Sequence, residues 1–153
     1  MTAATPSLDN LTLEIAYEIL VRATPEATFE ALLEQMGPGN EGPDGNPLPM
    51  KLEAWPGGRW YRDLGDGNGH YWGAVQAIKR PSLLEITGPL FMSSPVVSNV
   101  QYRLKEVDSG TMMAFRHSAF GLVPEGYREG VSRGWAPLLE RIRLHAEATR
   151  VRQ

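Results

Sequence analysis

The sequence predicts an α+β fold: a curved seven-stranded antiparallel sheet wrapped around a long C-terminal helix. Three observations carry this reading. Apolar and polar residues alternate from Leu11 to Val21, the pattern of a strand with one buried face. Six further strand-like segments lie between Met50 and Phe120, joined mostly by short turns that suit an antiparallel meander. From Pro124 to Arg150 the apolar period becomes helical. A curved sheet needs its concave face covered, and the last helix has the apolar stripe to cover it. A strongly curved sheet cannot touch a straight helix along its whole length, so a cavity between them is expected.

Residues 1–10 are small and polar and read as a flexible N-terminus; residues 11–150 read as a single domain. Leu11, Leu13, Ile15, Tyr17, Ile19 and Val21 share one parity and form the buried face of the first strand. Thr24-Pro25 starts a helix, with Thr24 as N-cap and Pro25 at the first helical position. Phe29, Leu32, Leu33 and Met36 follow at helical spacing until Gly37-Pro38 stops the run. From Gly37 to Pro49 the chain is dominated by Gly, Pro, Asn, Asp and Glu, which predicts an irregular, exposed and mobile loop with no full helix.

Six strands are expected next: Met50 to Trp55, Arg59 to Leu64, His70 to Ile78, Leu83 to Thr87, Val96 to Val107 and Thr111 to Ala119. Pro56-Gly57-Gly58, Asp66-Gly67-Asn68-Gly69, Lys79-Arg80-Pro81-Ser82 and Asp108-Ser109-Gly110 supply turn chemistry between them. In the last helix Tyr127, Val131, Trp135, Leu138, Ile142 and His145 fall on one stripe. Arg128, Arg133, Arg141 and Arg143 read as its solvated face. Pro137 removes one helix hydrogen bond and is expected to bend the helix near Arg133.

Composition narrows the function. The chain has 153 residues, 42% of them hydrophobic, enough for one real core. A formal net charge of -3 gives no basic footprint, so no nucleic-acid partner is expected. Cysteine is absent, which excludes disulfides, thiolate metal sites and a cysteine nucleophile, and fits a cytoplasmic location. Residues 1–10 lack a positive n-region and an apolar h-region, so a signal peptide is not expected. No apolar stretch reaches bilayer length, so no membrane association is expected. His70, His117 and His145 sit on different elements without metal-ligand spacing. Asp63, Asp66 and Asn68 lack the spacing and bidentate Glu of a calcium loop. The Gly37-Pro38-Gly39-Asn40-Glu41-Gly42 run follows a helix and opens none, so it is not a dinucleotide loop. No metal or cofactor is expected.

Parity selects the residues that can face a cavity. Met113, Phe115 and His117 point one way, and an inward His117 serves as a ligand's polar handle, a general base or, most commonly, a satisfied core histidine. Trp60, Arg62 and Leu64 share a face; an inward Arg62 needs an anionic partner unless it reaches water at the sheet's end. Tyr71 shares its side with Gly73 and Val75 and opposes Trp72, while Tyr102 groups with Val100 and Leu104. The candidate ligand-binding set is therefore Trp60, Arg62, Tyr71, Tyr102, Phe115 and His117 with Val131, Trp135 and Leu138 of the helix. No inward carboxylate accompanies His117, so no catalytic residue is assigned.

Three landmarks recur in order: Trp55-Pro56-Gly57-Gly58-Arg59-Trp60-Tyr61, Arg116-His117-Ser118-Ala119-Phe120-Gly121 and Gly134-Trp135. From about Leu11 to about Ala148 this set resembles the activator-of-Hsp90-ATPase-like branch of the START/Bet v 1 (SRPBCC) superfamily. The resemblance implies a helix-grip fold with a pocket between sheet and helix. Members of that family usually carry a second short helix where this chain has Gly37 to Pro49. The implied function is binding of a small hydrophobic or amphipathic ligand by a monomer or weak homodimer. Two alternatives go with the resemblance: a partner chaperone of the Hsp90 type, and a cyclase- or hydrolase-like enzyme with His117 as base.

Overall fold

A computed structural model describes residues 11–151, with side chains to residue 149. The flexible terminus expected for residues 1–10 lies outside the described residues. The element order is β1 (Thr12–Val21), α1 (Pro25–Met36), β2 (Lys51–Leu52), β3 (Arg59–Gly65), β4 (Asn68–Lys79), β5 (Leu83–Gly88), β6 (Val96–Val107), β7 (Gly110–Gly121) and α2 (Glu125–Val151). The seven strands form one sheet in the order β1-β7-β6-β5-β4-β3-β2, and every neighbouring pair is antiparallel. The meander from β2 to β7 follows from short turns; β1 closes the register beside β7.

Local chemistry sets the ends of α1. Ala27 N–H donates to Thr24 Oγ1 at 3.1 Å, and Pro25 occupies the first turn. The helix buries Phe29, Leu32 and Met36. β6 and β7 pair from Val96↔Gly121 to Val107↔Gly110 without a break. Their alternation turns Val96, Ser98, Val100, Tyr102 and Leu104 inward, together with Thr111, Met113, Phe115, His117 and Ala119. The outer face of the sheet is polar: Gln101 donates to Glu85, and Arg116 and Ser118 both donate to Glu14. α2 packs against α1 and β1. Leu139, Ile142 and Ala146 are fully buried along it, Tyr17 Oη donates to the Ser132 carbonyl at 2.9 Å, and Arg22 N–H donates to Glu147 at 3.0 Å.

Three expectations need correction. His145 is exposed, and Ala146 takes the buried place one position on. The helical run expected to pass Pro137 does so, from Glu125 to Val151. β2 is two residues long instead of six, because the chain turns at once after it. Trp55 N–H bonds the Glu53 carbonyl and Gly58 N–H bonds the Trp55 carbonyl. Gly57 there has φ +82°, and a Cβ on Gly58 would lie 1.8 Å from the Glu53 carbonyl oxygen, so both glycines are demanded by the turn. The Gly37 to Pro49 segment has no helix, as expected, yet it is folded on itself. Leu48 N–H donates to Asn40 O at 2.8 Å, Met50 N–H to Gly37 O at 3.0 Å and Asn40 Nδ2 to Leu48 O at 3.0 Å. Residues 43–47 are its exposed tip, whereas Asn40 is buried.

No described helix is long and apolar enough to cross a membrane. Among the described residues no group of three or more His, Asp or Glu is placed to hold a metal ion.

Candidate functional site

A cavity of about 450 Å³ opens between the N-terminal half of α2, the β3–β4 ribbon and the loop after α1. Five aromatic rings run through its lining in a connected series. Trp60 and Trp72 meet edge to face with centroids 5.0 Å apart, Trp72 meets Phe91 at 5.7 Å, and Phe91 meets Trp135 at 6.4 Å and Tyr127 at 6.5 Å. Such spacings are those of favourable aromatic pairs.

Each ring is held by the element that carries it. Trp60 points inward from β3, and its Nε1–H donates to the Met36 carbonyl at 2.7 Å. Trp72 sits at a bulge in β4. Trp60 pairs with Gly73 and Tyr61 with Tyr71, so Trp72 is the extra residue. One inserted residue reverses the side-chain parity beyond it. Two glycines make room there: a Cβ on Gly88 would lie 2.5 Å from the Trp72 carbonyl oxygen and 2.5 Å from the Gly73 Cα. Phe91 comes from the connection after β5, where Leu90 N–H donates to the Trp72 carbonyl at 2.7 Å. Leu90 has φ +57°, a strained value for a bulky residue, at the step that delivers Phe91 to the cavity.

Trp135 projects from α2, and its Nε1–H donates to His117 Nδ1 at 3.0 Å. An indole N–H only donates, so His117 Nδ1 must be unprotonated and Nε2 must carry the hydrogen. Nε2 faces Ser98 Oγ at 2.9 Å. The imidazole is thus neutral with both nitrogens engaged. Burial pushes its pKa down to about 4, with the distant Glu14 charge opposing weakly. A second indole–imidazole pair repeats the arrangement: Trp72 Nε1–H donates to His70 Nδ1 at 3.0 Å.

The structure brings four of the nine expected ligand-binding residues to the cavity wall: Trp60, Val131, Trp135 and Leu138. Phe115 and His117 touch Trp135, at ring separations of 4.7 and 5.6 Å, but do not border the cavity. Tyr102 packs at a tilt against Phe115 with ring centroids 5.0 Å apart, donates to Met36 Sδ at 3.3 Å and is fully buried, which raises its phenol pKa. It does not reach the cavity either. Arg62 lies half-buried opposite His70, outside the lining. Tyr71 is the clear correction. It is 48% exposed on the outer face, because the bulge at Trp72 breaks the parity that linked it to Gly73 and Val75.

Sequence reasoning missed Trp72, Phe91, the loop residues from Asn40 to Pro43 and Arg141. Arg141 is not simply a solvated charge. Its Nε lies 3.0 Å from Glu41 Oε2 and its Nη2–H donates to the Glu41 carbonyl at 3.3 Å, tying α2 to the loop at the cavity's edge.

Comparison with known proteins agrees with this architecture. A family model described as activator of Hsp90 ATPase homolog 1-like protein matches residues 22–147. No curated protein matches the chain in sequence. Among solved structures, a protein from Rhizobium leguminosarum is 18% identical with a TM-score of 0.68, over 90% of this chain and 95% of that one. A protein from Mesorhizobium loti is 19% identical with a TM-score of 0.64, over 89% of this chain and 98% of that one. The di-domain ARO/CYC StfQ from the steffimycin biosynthetic pathway is 14% identical with a TM-score of 0.66, over 93% of this chain and 53% of that one. At such identities the likeness carries the fold. With the match to residues 22–147, an open seven-stranded sheet and a long C-terminal helix, the chain belongs to the activator of Hsp90 ATPase homolog 1-like family of helix-grip proteins.

Proposed function

We propose that this domain binds a small apolar or amphipathic molecule in the cavity between α2, β3–β4 and the loop after α1. One observation carries the reading: a volume of about 450 Å³ is walled by Trp60, Trp72, Phe91, Tyr127 and Trp135. Both the size and the apolar lining with a few polar groups at one edge are those of small-molecule sites. His117 supports the site by holding Trp135 rather than by chemistry, since both its nitrogens are already engaged. A cytoplasmic location goes with this proposal, on the absence of cysteine.

The test is a titration with the uncharged apolar fluorophore N-phenyl-α-naphthylamine. A saturable rise in its emission, with quenching of the cavity tryptophans, is the expected result. Native mass spectrometry of the purified protein then identifies any molecule that the fluorophore displaces. A linear, unsaturable response would remove the cavity as a binding site.

A further inference from the structure

We infer that the corner of the sheet around Trp55 is a docking surface for a membrane bearing anionic phospholipid, which the domain touches from outside without spanning it. The expectation of no membrane association rests on the lack of a bilayer-length apolar stretch, which a surface contact does not need. The corner is separate from the cavity, since none of its residues lines that space.

The first observation is charge. Lys51, Arg59, Arg116 and Arg143 each face a carboxylate: Asp63, Glu53, Glu14 and the Glu140–Glu147 pair respectively. Lys79, Arg80, Arg103 and Lys105 are exposed and make no ion pair among the described residues. The fold gathers these cations. Lys79 pairs with Leu83 and Leu83 with Arg103, so register sets both cations on one face, two strands or about 10 Å apart. Lys105 follows on the same side of β6, since Tyr102 and Leu104 point inward. Arg80 opens the β4–β5 turn, and its Nη2–H donates to the Ala54 carbonyl at 3.1 Å, which brings the guanidinium beside Trp55. Glu85, diagonal to Arg103 in the register, accepts from Gln101 instead. Glu106 and Asp108 mark the limit of the patch beyond Lys105. In a chain with a formal net charge of -3, unmatched cations at one corner make a local field of the opposite sign, which attracts an anionic surface.

The second observation is Trp55 itself. Trp60, Trp72 and Trp135 commit their indole hydrogens within the protein. Trp55 is 57% exposed, and its N–H has no partner among the described residues. The Pro56-Gly57-Gly58 turn therefore carries a large side chain that the core does not use. A bare indole ring with a free hydrogen suits the headgroup level of a bilayer, where the ring meets acyl carbon and the N–H meets ester or phosphate oxygens. An acidic peptide supplies oxygens for the cations but no apolar layer for the ring.

The experiment is co-sedimentation of the full chain with vesicles of about three parts phosphatidylcholine to one of phosphatidylserine, against phosphatidylcholine alone. We expect binding to the anionic vesicles that weakens steeply as salt is raised, with a blue shift in tryptophan emission. Lys79→Gln and Lys105→Gln should each weaken it about fivefold, the scale of one cation at an anionic surface. Trp55→Ala should abolish the blue shift and weaken binding about tenfold. Lys51→Gln, whose cation already faces Asp63, should weaken it much less. All four side chains are exposed, so each variant should keep its thermal midpoint and, without vesicles, its affinity for N-phenyl-α-naphthylamine. Equal binding to both kinds of vesicle, or binding to neither, overturns the proposal. So does a loss in Lys51→Gln equal to that in Lys79→Gln, because overall charge would then be responsible instead of this corner. Binding of oligoglutamate that Lys79→Gln removes, with vesicles ignored, would give the corner to an acidic protein segment and overturn the lipid reading.

Discussion

His117 is held neutral by the company it keeps. Its Nδ1 accepts from Trp135 and its Nε2–H faces Ser98, in a site with no exposed imidazole surface. A second proton would have to go on Nδ1, against the Trp135 N–H, and burial opposes the resulting charge. The folded pKa is therefore about 4 against the ordinary 6.5. Between those values the unfolded chain binds more protons than the folded one, so stability rises with pH across that window. It is complete above about 6.5 and declines as pH falls towards 4, by roughly 3 kcal/mol in all. Glu14, Asp44, Glu53, Asp63 and Glu140 are all held below their usual values, so they stay ionised down to pH 5. The prediction is that denaturant unfolding shows a loss of stability between pH 6.5 and 5 that vanishes in His117→Asn. In that variant the amide oxygen can take the Trp135 hydrogen and there is no imidazole to charge. An equal slope in both proteins would mean that another group is titrating.

At the scale of elements, α2 joins two different helices in one. Its C-terminal half buries Leu139, Ile142 and Ala146 fully and is tied to α1 and β1. Its N-terminal half carries Gly126, Gly130 and Gly134 beside a cavity. Glycine in a helix interior costs about 1 kcal/mol relative to alanine, and here the added methyl has open space. Gly130→Ala should therefore stabilise the protein by about 0.5–1 kcal/mol, read as a higher thermal midpoint. A lower midpoint would show that this stretch of α2 needs the freedom of glycine. What the sequence reveals of these elements depends on how regular each one is. β6 and β7 are found to within a residue or two, because Val96 to Leu104 and Thr111 to Ala119 alternate without interruption. The inward Trp72 is missed because parity counting assumes regular pairing, and the bulge that reverses it has no mark of its own beyond nearby Gly73. Arg141 and the loop residues are missed for another reason. Their polarity says that they tolerate water, and says nothing of the Glu41–Arg141 pair that joins segments 100 residues apart.

The whole molecule is built unevenly, and this sets where it can respond to a ligand. On one side β1, β7 and β6 run for 10 to 12 residues in continuous register, with α1 and the C-terminal half of α2 packed over them. On the other side β2 has two residues, β4 has register shifts against both its neighbours, and the cavity separates the sheet from the glycine-bearing half of α2. Regions with fewer buried contacts open locally at lower free energy than the dense core. A molecule that fills the cavity binds the closed form and suppresses those openings by mass action. The prediction concerns amide hydrogen exchange at short labelling times, with and without N-phenyl-α-naphthylamine. Protection should rise in residues 40–48 and 126–138, the two lips of the cavity. Amides of β6 and β7 should not change on that timescale, because they exchange only through larger openings. Gains confined to β6 and β7, or at the outer face around Tyr71, would place the bound molecule outside the cavity.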